Sequence, residues 1–462
     1  MAKHSLLIVA SGFPPIHSGG VYRTLRLAKF LPALGWKLNV LTLHLDHLPK
    51  GTNIDAKLLE QISGNTKIHR VRARFPIEKI NRVLGRKNST PTSTQPNQKK
   101  STEQSSTGST KSATLLQRIK DGVTVPWMTP DRLVGWVRPA AKKGKLISKQ
   151  EDIEVVYSSG PPWSNHLVAL EIVRSTGLPW VADFRDPWVG NAFRQNRSGD
   201  SWVGRKHREL ERSVFETAGQ IIFNTARSRE DAVSRIGEFL LEKSVVIPNG
   251  FDPDHFAISN EKAHFLEQQP ESGGPLRITH TGSFYGKRNV DSLLEVVGRL
   301  KADGSVSASD LQIELIGNTR DHEAQRIILH NIEDIVTTTP PIPHHQCLQR
   351  LFDADALLLV QTEAPLCVPG KVYEYIAVGK PVLTLAGDGA TADLVRNENL
   401  GPCIAPDDQA GLKSALLRLV DEHRNGTLAG LLANTRDTYD GRKQMALFDN
   451  AFQNVSATRE GA

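Results

Sequence analysis

A chain of 462 residues is too long for one hydrophobic core and suits two or three domains. Its 39% hydrophobic content can support globular cores, yet no apolar run approaches the roughly 20 residues that a membrane-spanning helix needs. The formal charge of +7 is uneven: residues 67–149 hold nineteen Lys/Arg against four Asp/Glu, a surplus of 15, so the remainder carries −8.

The opening "MAKHSLLIVASGFPP" reads as a first strand rather than a signal peptide, because its apolar run is short and meets a Gly-Pro turn with no small-residue cleavage site. Further strand candidates follow at 38–44, 68–73, 155–159, 180–184, 220–225 and 244–249. A second series lies at 277–283, 312–318, 356–362, 381–387 and 401–406. Most are near-continuous Val/Ile/Leu runs separated by helical stretches, the pattern of parallel strands covered on both faces. Seven strands and then five predict an α/β protein of two Rossmann-like, doubly wound parallel-sheet domains. The expected boundaries are 1–250 for the first domain, 251–274 for a polar linker, 275–430 for the second domain and 431–462 for a C-terminal helical segment.

Within the first domain, residues 87–112 are rich in Ser, Thr, Gln and Pro and almost devoid of apolar groups. They cannot bury enough surface to order themselves and read as a flexible insertion. After them Thr129-Pro130 has the chemistry of a helix start. Leu133, Trp136, Val137 and Ala140 then fall on one helical face, Pro139 sits inside the helix, and Lys142, Lys143, Lys145 and Lys149 follow. Two readings stand side by side. The stripe packs on the domain's own sheet, or Trp136 and the lysines of segment 113–149 rest on an anionic membrane surface.

Several turns could carry chemistry. Gly19 and Gly20 precede a helix that is expected to end at Gly35, and helix N-termini attract phosphate. Their spacing is not G-x-G-x-x-G, which argues against a nicotinamide cofactor. "WVADFRDPW" sets Asp183, Arg185 and Asp186 directly after a buried strand, where charges are costly unless paired or used. Asn249-Gly250 is a turn signal at the end of the first domain. In the second domain "THTGSFYGKRN" places Gly282, Ser283, Lys287 and Arg288 at a strand's carboxyl end, which suits a diphosphate. "PGKVYEYIAVGKPVL" puts Glu374 on a short helix ahead of a buried strand. His344 and His345 read as polar residues near a helix start. The three cysteines, Cys347, Cys367 and Cys403, lack metal-type spacing and fit a reducing cytoplasm.

Taken together, "SGGVYR", "DFRDPW", "IPNGFDPDHF", "HTGSFYGKRN" and "PGKVYEYIAVGKPVL" resemble glycosyltransferase family 4 of the GT-B superfamily, over nearly the whole chain apart from 87–112. The resemblance implies two Rossmann-like domains facing across a cleft, with a nucleotide sugar held by the second and an acceptor by the first. It also implies transfer with retention at the anomeric carbon, no tightly bound metal or cofactor, and a place in bacterial surface-polysaccharide assembly. Glu374 matches the family glutamate that binds the donor ribose. Gly370, Lys371 and Val372 match the helix start that faces the diphosphate, and Lys287 and Arg288 match the basic pair that neutralises the leaving group.

Two departures stand out. Leu366 occupies the place of a family glutamate eight positions before Glu374. Arg185 stands nearest a family histidine, so the polar group beside the reacting sugar is open between Arg185, Asp186 and Asp183. The expected activity is a cytoplasmic retaining transferase using a UDP- or GDP-sugar, with a glycan or lipid-diphosphate-linked acceptor and no nucleic-acid partner. A GT-B-like sugar-nucleotide epimerase and a non-catalytic nucleotide-sugar-binding protein are the competing classes.

Overall fold

The computed structural model of the protein describes residues 4–49, 51–74, 129–190, 201–257, 273–284, 288–319 and 321–460. The expected insertion at 87–112 lies outside them, as does Lys287. The chain divides into two compact units, residues 1–247 with 445–462 and residues 248–444.

The first unit contains seven strands: β1 (His4–Val9), β2 (Trp36–Leu43), β3 (Thr66–Val71), β4 (Val155–Gly160), β5 (Trp180–Phe184), β6 (Gln220–Phe223) and β7 (Ser244–Val246). They lie in the order β3-β2-β1-β4-β5-β6-β7, all parallel. The second unit contains β8 (Leu276–Thr281), β9 (Leu311–Ile316), β10 (Val336–Thr339), β11 (Ala356–Gln361), β12 (Val382–Ala386) and β13 (Cys403–Ile404). Their order is β10-β9-β8-β11-β12-β13, again all parallel. Each sheet reverses direction beside its first strand, between β1 and β4 and between β8 and β11. Such reversals open a crevice beyond the strands' carboxyl ends, where ligands of these folds bind.

Every expected strand is present, and β10 is an addition. Its sequence, Val-Thr-Thr-Thr, is half-exposed at the sheet edge, so it carries none of the apolar run by which the central strands are recognised. The buried strands β4, β5, β11 and β12 are covered along their whole length. Among the described residues no helix is long and apolar enough to cross a membrane.

Two boundaries differ from expectation. Residues 251–257 do not form a linker: Phe251 and Phe256 pack in the core of the second unit with Leu351, Tyr373 and Tyr439. The last helix, Met445–Glu460, belongs to the first unit, where Met445, Phe448, Ala451, Phe452 and Val455 share a core with Leu6, Ile8, Val155 and Tyr157. An apolar helical face must find a sheet to cover, and the sheet of the first unit takes it. Trp36 Nε1 locks the helix by donating to Asp449 Oδ1 at 2.8 Å.

The basic segment also resolves. Its helix starts at Val134, not at Thr129-Pro130, and runs to Gln150. Asp131 holds the preceding loop elsewhere: its carboxylate accepts from Leu133 N, Ser164 N and Ser164 Oγ at 2.7–2.9 Å. Pro139 cannot donate to Gly135 O. That carbonyl instead accepts from Arg74 N at 2.9 Å, and the helix continues. Trp136 is wholly buried in the core, its Nε1 donating to Val71 O at 3.1 Å. The apolar stripe therefore packs on the domain's own sheet, and the tryptophan does not reach a surface.

Replacing Phe452 by Ala is expected to destabilise the first unit by about 3–5 kcal/mol, the usual cost of a large aromatic cavity. Calorimetric unfolding checks this. If the C-terminal helix is instead an independent appendage, the transition stays where it is.

Candidate active site

At the reversal point of the first sheet, Asn165 bridges the two strand ends. Its Oδ1 accepts from Ser11 N at 3.1 Å and its Nδ2 donates to Ser159 O at 2.7 Å. Arg185, just past β5, closes the same region. Its Nη1 donates to Gly20 O and its Nη2 to Pro161 O, both at 2.8 Å. A Cβ at Gly20 would lie 3.0 Å from Arg185 Nη2, while one at Gly19 would meet nothing. The structure thus brings the predicted Gly19-Gly20 turn and the "DFRDPW" turn together through one guanidinium.

Asp183 is not part of that surface. It is fully buried at the end of β5, and Arg23 grips it from Nε at 2.8 Å and Nη2 at 3.0 Å. Tyr157 Oη and Ser159 Oγ also donate to it. Arg23 completes its fork on Ile247 O at 2.8 Å and lies over the Phe448 ring. Burial and then the Asp183 charge push the Tyr157 hydroxyl well above its ordinary pKa. A buried ion pair survives only when its remaining lone pairs and protons are satisfied, and here they are. Asp183 is a structural ion-pair centre, which corrects its expected catalytic role. Asp186 differs: its side chain is 37% exposed, with Arg185 Nε 4.0 Å from its Oδ2.

Asn249 lies where the chain passes into the second unit. Its carbonyl accepts from Gln444 Nε2 at 3.3 Å. A Cβ at Gly250 would fall 2.4 Å from Tyr439 O, so this glycine serves a close backbone crossing. Phe251 N donates to the same Tyr439 carbonyl at 3.0 Å.

At the reversal point of the second sheet the predicted residues converge. Gly282 and Ser283 leave β8, and Ser283 Oγ accepts from Asn318 N at 3.3 Å. Arg288 is buried and donates through Nη2 to Gln361 Oε1 at the end of β11. Gln361 is itself fixed by donating to Glu363 O at 2.7 Å. The helix Lys371–Val378 begins beside them and ends at Gly379, whose φ of +81° makes it a left-handed cap. A Cβ at Gly370 would meet nothing within 4 Å, so the space before this helix is open. Val372 is a correction: its side chain is fully buried and its N–H donates to Pro369 O at 3.1 Å, so it supports the helix and offers no ligand contact.

Glu374, in the first turn, is one-third exposed, and its Oε1 accepts from His344 Nε2 at 3.0 Å. That hydrogen bond raises the His344 pKa above its ordinary value. The His255 ring packs edge-on to His344 at 5.9 Å. His344 is therefore more than a helix-start residue, contrary to expectation. Sequence reasoning also missed Arg23, Tyr157 and Gln361. Arg23 alone left a trace, as a charge inside the otherwise apolar start of the first helix.

Residues 275–422 match the family model for Glycosyl transferases group 1. The second unit is a group 1 glycosyltransferase domain. The two parallel-sheet units have the GT-B architecture of solved glycosyltransferase structures. No curated protein sequence matches it. Among solved structures, sucrose-phosphate synthase from Thermosynechococcus elongatus is similar at a TM-score of 0.61 with 14% identity, over 99% of this chain and 100% of that one. HepE from Anabaena, in complex with UDP and glucose, gives 0.56 with 12% identity over 100% of both chains. The glycosyltransferase WaaG gives 0.54 with 16% identity over 98% of this chain and 99% of its own. At these identities the likeness is one of fold.

Asp183→Asn is expected to cost about 3–5 kcal/mol of stability, because it weakens the carboxylate that grips a buried arginine. Asp186→Asn should cost less, because its half-exposed side chain keeps access to water. Denaturant unfolding of both variants tests the contrast. Equal stabilities would return Asp183 to the list of accessible groups.

Proposed function

We propose that the protein is a cytoplasmic, retaining transferase that moves a sugar from a UDP- or GDP-sugar to a glycan or lipid-linked acceptor in cell-surface polysaccharide assembly. The observation that carries this reading is the convergence of Arg288, the helix start at Gly370-Lys371 and Glu374 beside the ends of β8 and β11. A carboxylate on the first turn can accept both ribose hydroxyls through charge-assisted hydrogen bonds. Fixed cations and a helix N-terminus meet the diphosphate, whose charge grows as the sugar departs, so they lower the barrier. The chain's own cations take this role, and the reaction proceeds without a tightly bound metal. Lys287, next to Arg288 in sequence, joins them in this reading. Arg185 and Asp186 are the polar groups offered to the acceptor side.

The relatives point the same way. HepE has been solved with UDP and with UDP-glucose, and WaaG is involved in lipopolysaccharide biosynthesis.

A thermal-shift screen of nucleotides and nucleotide sugars tests the donor, since a ligand of the folded state raises apparent stability by mass action. No shift with any of them removes the reading. Glu374→Ala should weaken nucleotide binding by about 1.5–3 kcal/mol, the loss of a hydrogen bond to a charged group. Calorimetry on a variant of unchanged melting temperature measures it. The anomeric configuration of the product, read by NMR, decides retention.

The membrane part of the proposal rests on charge alone. Arg138, Lys142, Lys145 and Lys149 recur at helical spacing on the face of Val134–Gln150 opposite the core, and all four retain exposure. Each contributes roughly 1 kcal/mol at an anionic surface at low salt. Co-sedimentation with anionic vesicles should be strong at low salt and vanish as salt rises. Sedimentation that ignores lipid charge would end the claim.

A further inference from the structure

The helix His344–Asp353 begins with two histidines, and they part at once. His345 is exposed, whereas His344 turns to the neighbouring helix Lys371–Val378 and meets Glu374, with Nε2 3.0 Å from Oε1. A carboxylate oxygen only accepts, so Nε2 carries the proton and donates. The start of a helix disfavours a cation, so the field of its own helix does nothing to hold the imidazole in that place. Its partner on the second helix does.

Both partners stand on elements packed in one core. Leu348 and Leu351 of the first helix share it with Val372, Tyr373 and Ile376 of the second. The first turn is closed by Gln346 N and Cys347 N, which donate to Pro343 O at 2.9 and 3.0 Å. His255 packs edge-on against the His344 ring at 5.9 Å, and the next residue, Phe256, lies in the same core. Three segments distant in sequence thus fix one ring. Glu374 has two carboxylate oxygens, and His344 takes one. Oε2 has no hydrogen-bond partner among the described residues, and the side chain keeps 34% exposure. A glutamate left to itself samples many rotamers, and ordering it costs free energy. Here the carboxylate is planar and one of its oxygens is tied, so the direction of the other is restricted before any ligand arrives.

We propose that His344 is a positioning residue: by tying one oxygen of Glu374 it presents the other to the donor's ribose, and so sets the preference for a ribonucleotide over its deoxy forms. This rests on the nucleotide-sugar reading above. The rotamer cost of Glu374 is met on folding instead of on binding, and that strengthens the contact to the hydroxyls and nothing else. A carboxylate held ready for a hydroxyl also discriminates, because an analogue without that hydroxyl leaves the acceptor unpaired. A competing role for the same hydrogen bond has the opposite sign: ribose would have to displace the imidazole, and removing His344 would tighten binding. The open Oε2 and the shared core favour positioning, since ribose can be received without evicting the ring.

The test is calorimetric binding of UDP, GDP and their 2′,3′-dideoxy forms to the full chain. Wild type should bind the preferred ribonucleotide about tenfold more tightly than its dideoxy form. His344→Ala should weaken ribonucleotide binding about fivefold and leave binding of the dideoxy form unchanged. His344→Gln, whose amide offers an N–H at similar reach, should recover most of the loss, and it covers the case in which the alanine variant fails to fold. In a Glu374→Ala background His344→Ala should change nothing further, because the two residues act as one unit. Equal weakening toward both forms, no weakening at all, or tighter binding by His344→Ala overturns this inference and leaves the donor reading standing. So does a wild type that binds ribose and dideoxy forms alike. Absence of binding by every one of these nucleotides overturns the donor reading and this inference with it.

Discussion

A parallel sheet that reverses its strand order leaves a crevice beyond its carboxyl ends, and the features of this molecule with chemical potential gather at two such places. In the second unit the reversal lies between β8 and β11. The strand ends there deliver backbone carbonyls, Gln361 and the Gly282 turn to one spot. Nothing in the side chains creates this meeting. It follows from parallel pairing with the first strand in the middle, and the side chains then specialise it.

The buried charges of the two units illustrate opposite uses of the same location. In the first unit Arg23 and Asp183 neutralise each other, and Tyr157, Ser159 and Ile247 O absorb the remaining hydrogen-bonding capacity. The result is a rigid strand end that holds Arg185 and the Gly19-Gly20 turn in place. In the second unit two cations, Arg288 and Lys371, converge, with the Glu374 carboxylate nearby. Like charges drawn together in a half-buried place are unfavourable to the empty protein, and arrangements of that kind mark functional sites more often than structural ones. One unit uses its buried charges for shape, and the other gathers two cations at a strand end.

The chain's crossing between units follows from packing. Gly250 and Phe251 run against Tyr439 backbone to backbone, after which the final helix returns its aromatic face to the first sheet. The first unit is therefore closed by residues almost two hundred positions away from the rest of it. Trp36, Tyr157 and Phe452 share that interface.

The α/β class, two domains and twelve of the thirteen strands among the described residues were legible in the sequence, because a strand covered on both faces must be apolar along its length. β10 escaped because an edge strand has no such need. The Gly282, Arg288, Lys371 and Glu374 positions were legible as a motif, since charges at the end of a buried run are unusual. Which charges are paired could not be read there. Asp183 and Asp186 look alike in "DFRDPW", and only folding sets one against Arg23, 160 residues earlier, and leaves the other exposed. His344 likewise meets Glu374 across thirty residues, and Trp136 turns inward because β3 offers it a carbonyl. Sequence determined the periodic, local properties: which runs are buried and where turns fall. Tertiary structure decided the partners of each polar group, because a hydrogen bond or ion pair between distant residues leaves no local pattern, yet its presence fixes whether a charge is structural or free to act.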